Sequence, residues 1–463
     1  MSNSVEDDEE LSQIGFLFIL LSGLLALVIS VAVYTRWDAN KKNDEKDDLT
    51  STCGTDEESD GGKKTSKKFE EKNVFREKAK DKKANKDSFS HQFLLTTLKG
   101  HVQPVLDIDF SSNGKYLVST SEDRKLLLWN AKSFHSNEHT PSVSQIELDT
   151  ATRVAFSPDS KNVVVALKRD NKLAVYKIMK GNSVKLVPVE SVSYEPKHKM
   201  DIDHIGIASN GKFLMSTSAD NRMFVYSVRG HMLCTVDYEA ELRTLHYAAI
   251  SPDGRFIGAC GPVNYCIFHE IHLNPEGSCK EKKAFELRGH DSCVYSFAFN
   301  QDSSRAVSVS RDGTWKLFNT DIRYDLKEEP KLIAEGEWEI LKSSSPTAVN
   351  VAMSLSGKSF AISAVNQLLI ISALDTQRTV SPVSCVHDIS ISAIRISPCG
   401  RYIATCGDRF IRIFHNVMEY YSNVVELEQT LKEAHGEAAK ERIKGNLLQA
   451  KAELKQILKK DKM

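Results

Sequence analysis

Four histidines each precede an aspartate by about two strands' worth of chain: His101 and Asp123, His198 and Asp220, His290 and Asp312, His387 and Asp408. An imidazole held by a carboxylate is the pair that general-base catalysis uses. Ser119, Ser216 and Ser308 stand between three of the pairs. One shared cleft would make this chemistry. A repeat of one position in several similar units would make it architecture. No nucleophile and base with a third orienting group, no phosphate-binding glycine loop and no metal-ligand spacing occurs elsewhere. The nine cysteines are odd in number and form no CxxC, so they read as small buried side chains in a reducing compartment.

The spacing favours architecture. His101 to Trp129, His198 to Tyr226 and His290 to Phe318 are each 28 residues, and His387 to Phe414 is 27. Between them runs an apolar stretch, a turn, a second stretch, a polar turn and a third stretch. The first unit reads Gly100-His101, then Val105 to Phe110, then LVSTSEDRKLLLWN from Leu117 to Asn130. Alternating apolar runs bounded by such turns are strands. The frame recurs in AFSPDSKNVVVALKRDNKLAVY, IASNGKFLMSTSADNRMFVY, AISPDGRFIGACG, AFNQDSSRAVSVSRDGTWKLFN, AMSLSGKSFAISAV and RISPCGRYIATCGDRFIRIF.

Seven units in phase resemble WD40 repeats, which open on Gly-His and close on Trp-Asp. The resemblance implies an all-β, seven-bladed β-propeller over 92–416. It also implies that each aspartate bonds the imidazole, which reaches a Ser or Thr and the Trp. Only the first unit has the full set of His101, Ser119, Asp123 and Trp129; the second, fourth and sixth lack the histidine. Phe93 to Leu98 is expected to supply the outer strand of the last blade and leave no open edge. Inserts at about 131–147, 180–197, 270–288 and 319–346 are where binding is expected, with Trp338 a candidate partner contact.

The N-terminal part is different. Residues 1–13 are acidic. Ile14 to Tyr34 is a run of 21 uncharged residues, enough for a helix to cross about 30 Å of hydrocarbon. The flank before it holds no Lys or Arg, while Arg36, Lys41, Lys42 and Lys46 follow it. This asymmetry puts residues 1–13 outside, which is the lumenal side where the membrane is an internal one, and the body in the cytosol. Residues 35–91 read as a flexible charged linker. Lys63, Lys64, Lys67, Lys68, Lys82 and Lys83 within it are candidate contacts for RNA phosphates or anionic lipid. Net charge over the chain is −1, so no global signal for nucleic acid exists. Beyond Phe414, Val417, Tyr420, Val424, Leu427 and Leu431 step by three and four, and the pattern slips near Gly436 and Gly445; 417–463 reads as an amphipathic helical tail.

Acidic terminus, early membrane run, basic linker, divergent ring and helical tail together resemble the membrane-anchored transducin beta-like family of WD40 proteins. That resemblance implies a single-pass protein of the endoplasmic reticulum membrane, non-catalytic and without cofactor. It implies partners on the propeller faces and insert loops, among them a stress-sensing kinase that slows translation, and the ribosome or mRNA. The competing expectation is a membrane-anchored guanine-nucleotide-exchange or trafficking factor for a small GTPase.

Overall fold

A computed structural model describes residues 89–181, 184–195, 197–274, 279–376 and 378–458. The uncharged 14–34 run and the lysines from Lys63 to Lys83 lie outside them. Among the described residues, no helix is long and apolar enough to cross a membrane.

The chain enters on β1 (Leu94–Lys99) and then lays down one antiparallel sheet after another. Blade 1 is β2 (Val105–Phe110), β3 (Tyr116–Ser121), β4 (Lys125–Asn130) and β5 (Ser142–Gln145). Blade 2 is β6 (Ala151–Phe156), β7 (Asn162–Leu167), β8 (Lys172–Lys180) and β9 (Val184–Pro188). Blade 3 is β10 (Ile202–Ile207), β11 (Phe213–Ser218), β12 (Arg222–Ser227) and β13 (Met232–Asp237). Blade 4 is β14 (Tyr247–Ile250), β15 (Phe256–Cys260), β16 (Cys266–Leu273) and β17 (Cys279–Leu287). Blade 5 is β18 (Val294–Phe299), β19 (Arg305–Ser310), β20 (Thr314–Asn319) and β21 (Lys331–Glu337). Blade 6 has three strands, β22 (Val349–Met353), β23 (Ser359–Ala364) and β24 (Gln367–Ser372). Blade 7 is β25 (Ala393–Ile396), β26 (Tyr402–Cys406) and β27 (Phe410–His415), completed by β1. This is a seven-bladed propeller. The inserts read from the sequence as loops carry the outer strands β5, β9, β17 and β21; exposure on one side dilutes their apolar alternation.

Ring closure is the pairing of β1 with β27, in which Leu98 stands opposite Ile411. Joining the first strand to the last sheet removes the open edge that a linear array would present. Leu98 is 1% exposed and packs with Ile108, Trp129 and Ile413 in the core between blades 7 and 1. Other interfaces are filled in the same manner, as by Trp315 of blade 5 edge-on to Phe360 of blade 6 at 5.2 Å. Among the described residues blade 6 has no fourth strand, but its outer edge is not bare. Val383 exchanges both backbone hydrogen bonds with Leu368, and the Val380 N–H donates to the Ile370 carbonyl.

Two cysteines depart from the sequence reading. Cys234 of β13 and Cys279 of β17 form a disulfide between the outer strands of blades 3 and 4. They are 45 residues apart in sequence. Only the placement of one blade beside the next brings them together.

The tail folds as two helices, α1 (Val417–Glu433) and α2 (Glu437–Leu458), broken at Gly436, whose φ is +95°. Helix α1 ends at the extended Ala434, and the left-handed backbone of Gly436, which suits glycine, turns the chain into α2. Gly445 lies within α2. The first turn of α1 is fastened to blade 6 by Glu419, a carboxylate only 3% exposed that accepts from the Ser356 hydroxyl at 2.6 Å and the Ser359 hydroxyl at 2.7 Å. Val417, Met418 and Tyr420 join the core of blades 6 and 7.

Candidate functional site

Each histidine sits on the loop entering its blade, and each aspartate on the turn between the second and third strands. The blade's antiparallel register brings the two together. His101 Nδ1 is 3.0 Å from Asp123 Oδ2, and its Nε2 is 2.8 Å from Ser119 Oγ. The Trp129 indole N–H donates to the same oxygen at 3.0 Å. Blade 3 repeats this with His198, Ser216 at 2.8 Å and Asp220 at 3.1 Å, and blade 5 with His290, Ser308 at 2.8 Å and Asp312 at 3.0 Å. In blade 7, His387 lies 2.9 Å from Asp408 and 3.0 Å from the Thr405 hydroxyl.

The carboxylates do more than orient a ring. Asp123 also accepts from the Val102 N–H at 3.1 Å and the Lys125 N–H at 3.0 Å, tying entry loop to turn. Burial pushes Asp123 up, but its His101 bond and charge with these amides outweigh that and leave it below the usual carboxylate range. Asp312 and Asp408 are held well below it in the same way: burial raises them, and their histidines, with Thr314 or Arg412, lower them further. His198 and His387 go down because burial outweighs their aspartates, so both are neutral near pH 7.

The geometry decides what these groups can do chemically. A nucleophilic serine needs a free face toward substrate. Ser119, Ser216 and Ser308 are fully buried, with side chains turned into the blade. The four pairs occupy four separate blades and face no common cleft. Among the described residues, no group of three or more His, Cys, Asp and Glu could hold a metal ion.

The structure also uses residues that the sequence reading passed over. Blade 2 has no histidine, and Asp149 instead accepts from the Thr150 N–H at 2.6 Å and the Arg169 N–H at 2.9 Å. Asp107 and Asp109 of β2 reach across to blade 2 and accept the N–H groups of Val154 at 3.0 Å and Phe156 at 2.7 Å. Arg395 of blade 7 approaches both, at 3.3 and 3.8 Å. These three side chains line the central channel beside Arg153, His204 and Tyr247. Burial pushes Asp109 up to about 6 despite Arg395 and the Phe156 amide. The readable signal was Leu106-Asp107-Ile108-Asp109, two charges alternating in a strand otherwise apolar.

Trp338 follows β21 and is half-buried. It packs against the core shared by blades 5 and 6, and its backbone N–H donates to the Gly313 carbonyl at 2.8 Å.

Comparison with known proteins agrees with this architecture. The family model for "WD domain, G-beta repeat" matches residues 92–130, 281–319 and 381–415, which hold the histidine and aspartate of blades 1, 5 and 7; blade 3 keeps its pair outside the matched segments. Transducin beta-like protein 2 from Homo sapiens is 34% identical over 459 residues, covering 97% of this chain and 99% of the relative. The Mus musculus protein of that name is 35% identical over 443 residues, covering 95% and 96%. A guanine nucleotide-binding protein subunit beta from Nicotiana tabacum is 22% identical over 275 residues. Likeness across nearly the whole length, inside and outside the ring, is more than a shared repeat would give. The chain belongs to the transducin beta-like protein 2 family of WD40-repeat proteins.

Proposed function

We propose that this chain is a non-catalytic scaffold, a WD40 ring tethered to the endoplasmic reticulum membrane through residues 14–34 and facing the cytosol. The single observation that supports it best is the burial of Ser119, Ser216 and Ser308 beneath their histidines. Groups that resemble catalytic machinery are consumed in joining strand to turn, and the rigid ring is left to present surfaces. The partners are those the family resemblance implies: a stress-sensing kinase that slows translation, and ribosome or mRNA. Lys63, Lys64, Lys67, Lys68, Lys82 and Lys83 supply the contact to RNA phosphates or lipid headgroups.

Capture of the full-length chain from cells at physiological salt, with and without nuclease, tests this. Recovery of ribosomal components, reduced when the six lysines become glutamine, is the expected outcome. Recovery of neither protein nor RNA partners contradicts the scaffold reading.

A further inference from the structure

Blade 2 is charged out of proportion to the chain. Residues 151–189 carry eight Lys and Arg against two Asp, while the whole chain is −1. Lys161, Lys168 and Lys172 face Asp159, Asp201 and Asp170. Lys177 and Lys185 do not, and their place on the sheet matters.

Side chains alternate along a strand. In β8 and β9, Tyr176, Ile178 and Leu186 point to one face and are sealed in the core with blade 1. Val175, Lys177 and Met179 of β8 point to the other, with Lys185, Val187 and Val189 beside them; Lys177 pairs with Val187, and Met179 with Lys185. This second face looks toward blade 3, which leaves its outer part uncovered. Met179 is 48% exposed and Val187 44%. Between the blades lies a groove of about 790 Å³. Its floor includes Val164, Val175, Val192 and Leu214; Lys177 stands at its rim, Lys161 stands there with its partner Asp159, and Lys185 lies just outside on the same face of the sheet.

We infer that this groove is a docking site for an extended segment of a partner protein whose apolar side chains are flanked by Asp or Glu. The inference rests on the scaffold reading above and names one of its surfaces. The occupant follows from shape and charge. A concave floor takes inserted side chains, which a flat bilayer surface does not offer. Stacked bases need open aromatic faces, but the aromatic ring of this lining, Tyr194, is 2% exposed with its hydroxyl on the Val228 carbonyl. The apolar floor, with Lys177 at its rim and Lys185 beside it left over after Lys161 is paired with Asp159, complements an acidic-flanked apolar strand. Asn162 and Asn210 also line the groove and carry side-chain amides of the kind that bond an extended backbone.

The test uses the full-length chain in detergent micelles. The probe is a fluorescent twelve-residue peptide of alternating Leu and Val with Asp and Glu flanks. Controls carry Lys flanks or Ser for the apolar positions, and anionic vesicles and single-stranded RNA are titrated beside them. Saturable binding of the acidic apolar peptide, weakened about tenfold by K177E with K185E and unchanged by K455E on α2, is expected. Equal binding of the Lys-flanked peptide overturns the proposal, as does no effect of K177E with K185E. A response of vesicles or RNA in place of the peptide also overturns it. Proximity labelling with the same double variant separates the two readings. Neighbours kept intact remove the groove and leave the scaffold, whereas no propeller-dependent neighbours in the wild type removes the scaffold itself.

Discussion

The Trp129 indole N–H donates to the Ser119 hydroxyl oxygen at 3.0 Å, and the same oxygen lies 2.8 Å from His101 Nε2. One buried hydroxyl therefore joins the third strand of blade 1 to its entry loop. Ser119→Ala leaves the indole N–H and an imidazole nitrogen unsatisfied in the core. The expected loss is about 2–3 kcal/mol in denaturant unfolding followed by Trp fluorescence. His101→Ala removes the ring as well and is expected to cost more. A loss within experimental error for both would mean that the network is ornamental.

Acid should weaken the fold before the carboxylates titrate. His198 and His387 are depressed by burial, so their stabilising contribution is complete above the unfolded imidazole value of about 6.5 and is lost as pH falls through their lower folded values. Asp312 and Asp408, also depressed, contribute above about 4 and lose that only at lower pH. The thermal midpoint is expected to drop between pH 7.5 and 5.5, and His387→Gln to flatten the drop. An unchanged slope in that variant contradicts the neutral buried imidazole.

Asp109 has the opposite sign. Its folded value is raised by burial to about 6, so its contribution is complete below the usual aspartate range and fades as pH rises through 6. The stability advantage of wild type over Asp109→Asn should be larger at pH 5 than at pH 7.5. The reverse order would place this carboxylate in water or in a stronger ion pair with Arg395.

Closure of the ring through β1 makes Leu98 a sensitive position. Leu98→Ala is expected to cost about 2–5 kcal/mol, as for other large-to-small changes in a packed core. Amide exchange should show the loss concentrated in β1, β27 and blade 1. Protection spread evenly over all seven blades would deny that the β1–β27 seam limits stability.

Glu419 gives a local test of the tail. Glu419→Ala removes the acceptor from Ser356 and Ser359 and should release α1 from blade 6, seen as proteolysis between 417 and 458 with the ring intact. Continued protection of that segment would assign its docking to Val417, Met418 and Tyr420 together with the bonds that Asn416, Ser422 and Asn423 make to Ser359, Ser372 and Lys358.

The ring was legible in the sequence because its periodicity is carried by side chains that face the core. His101 to Trp129 repeats at His290 to Phe318 because each spans the same three strands. Four-stranded blades follow from the repeat, but outer strands such as β5 and β21 have no readable position within the inserts because only one of their faces packs, and Val143, Leu332 and Ile333 remain exposed. Asp149 was invisible because it serves blade 2 from the entry loop, bonding the Arg169 N–H of the turn, where the other blades place the aspartate on the turn itself. Glu419 read as an ordinary charge on a helix, since its serine partners lie some sixty residues earlier. The Cys234–Cys279 bridge depends on adjacency of two blades, which no local spacing encodes.

We propose that the ring presents cytosolic partners at the reticulum membrane. Proximity labelling from the C-terminus of the full-length chain, compared with a chain lacking residues 1–37, tests it most directly. The account predicts cytosolic neighbours, ribosomal components among them, that are enriched with the full-length chain and lost from the membrane fraction with the truncation. Labelling confined to lumenal proteins, or an identical set from both chains, would contradict it.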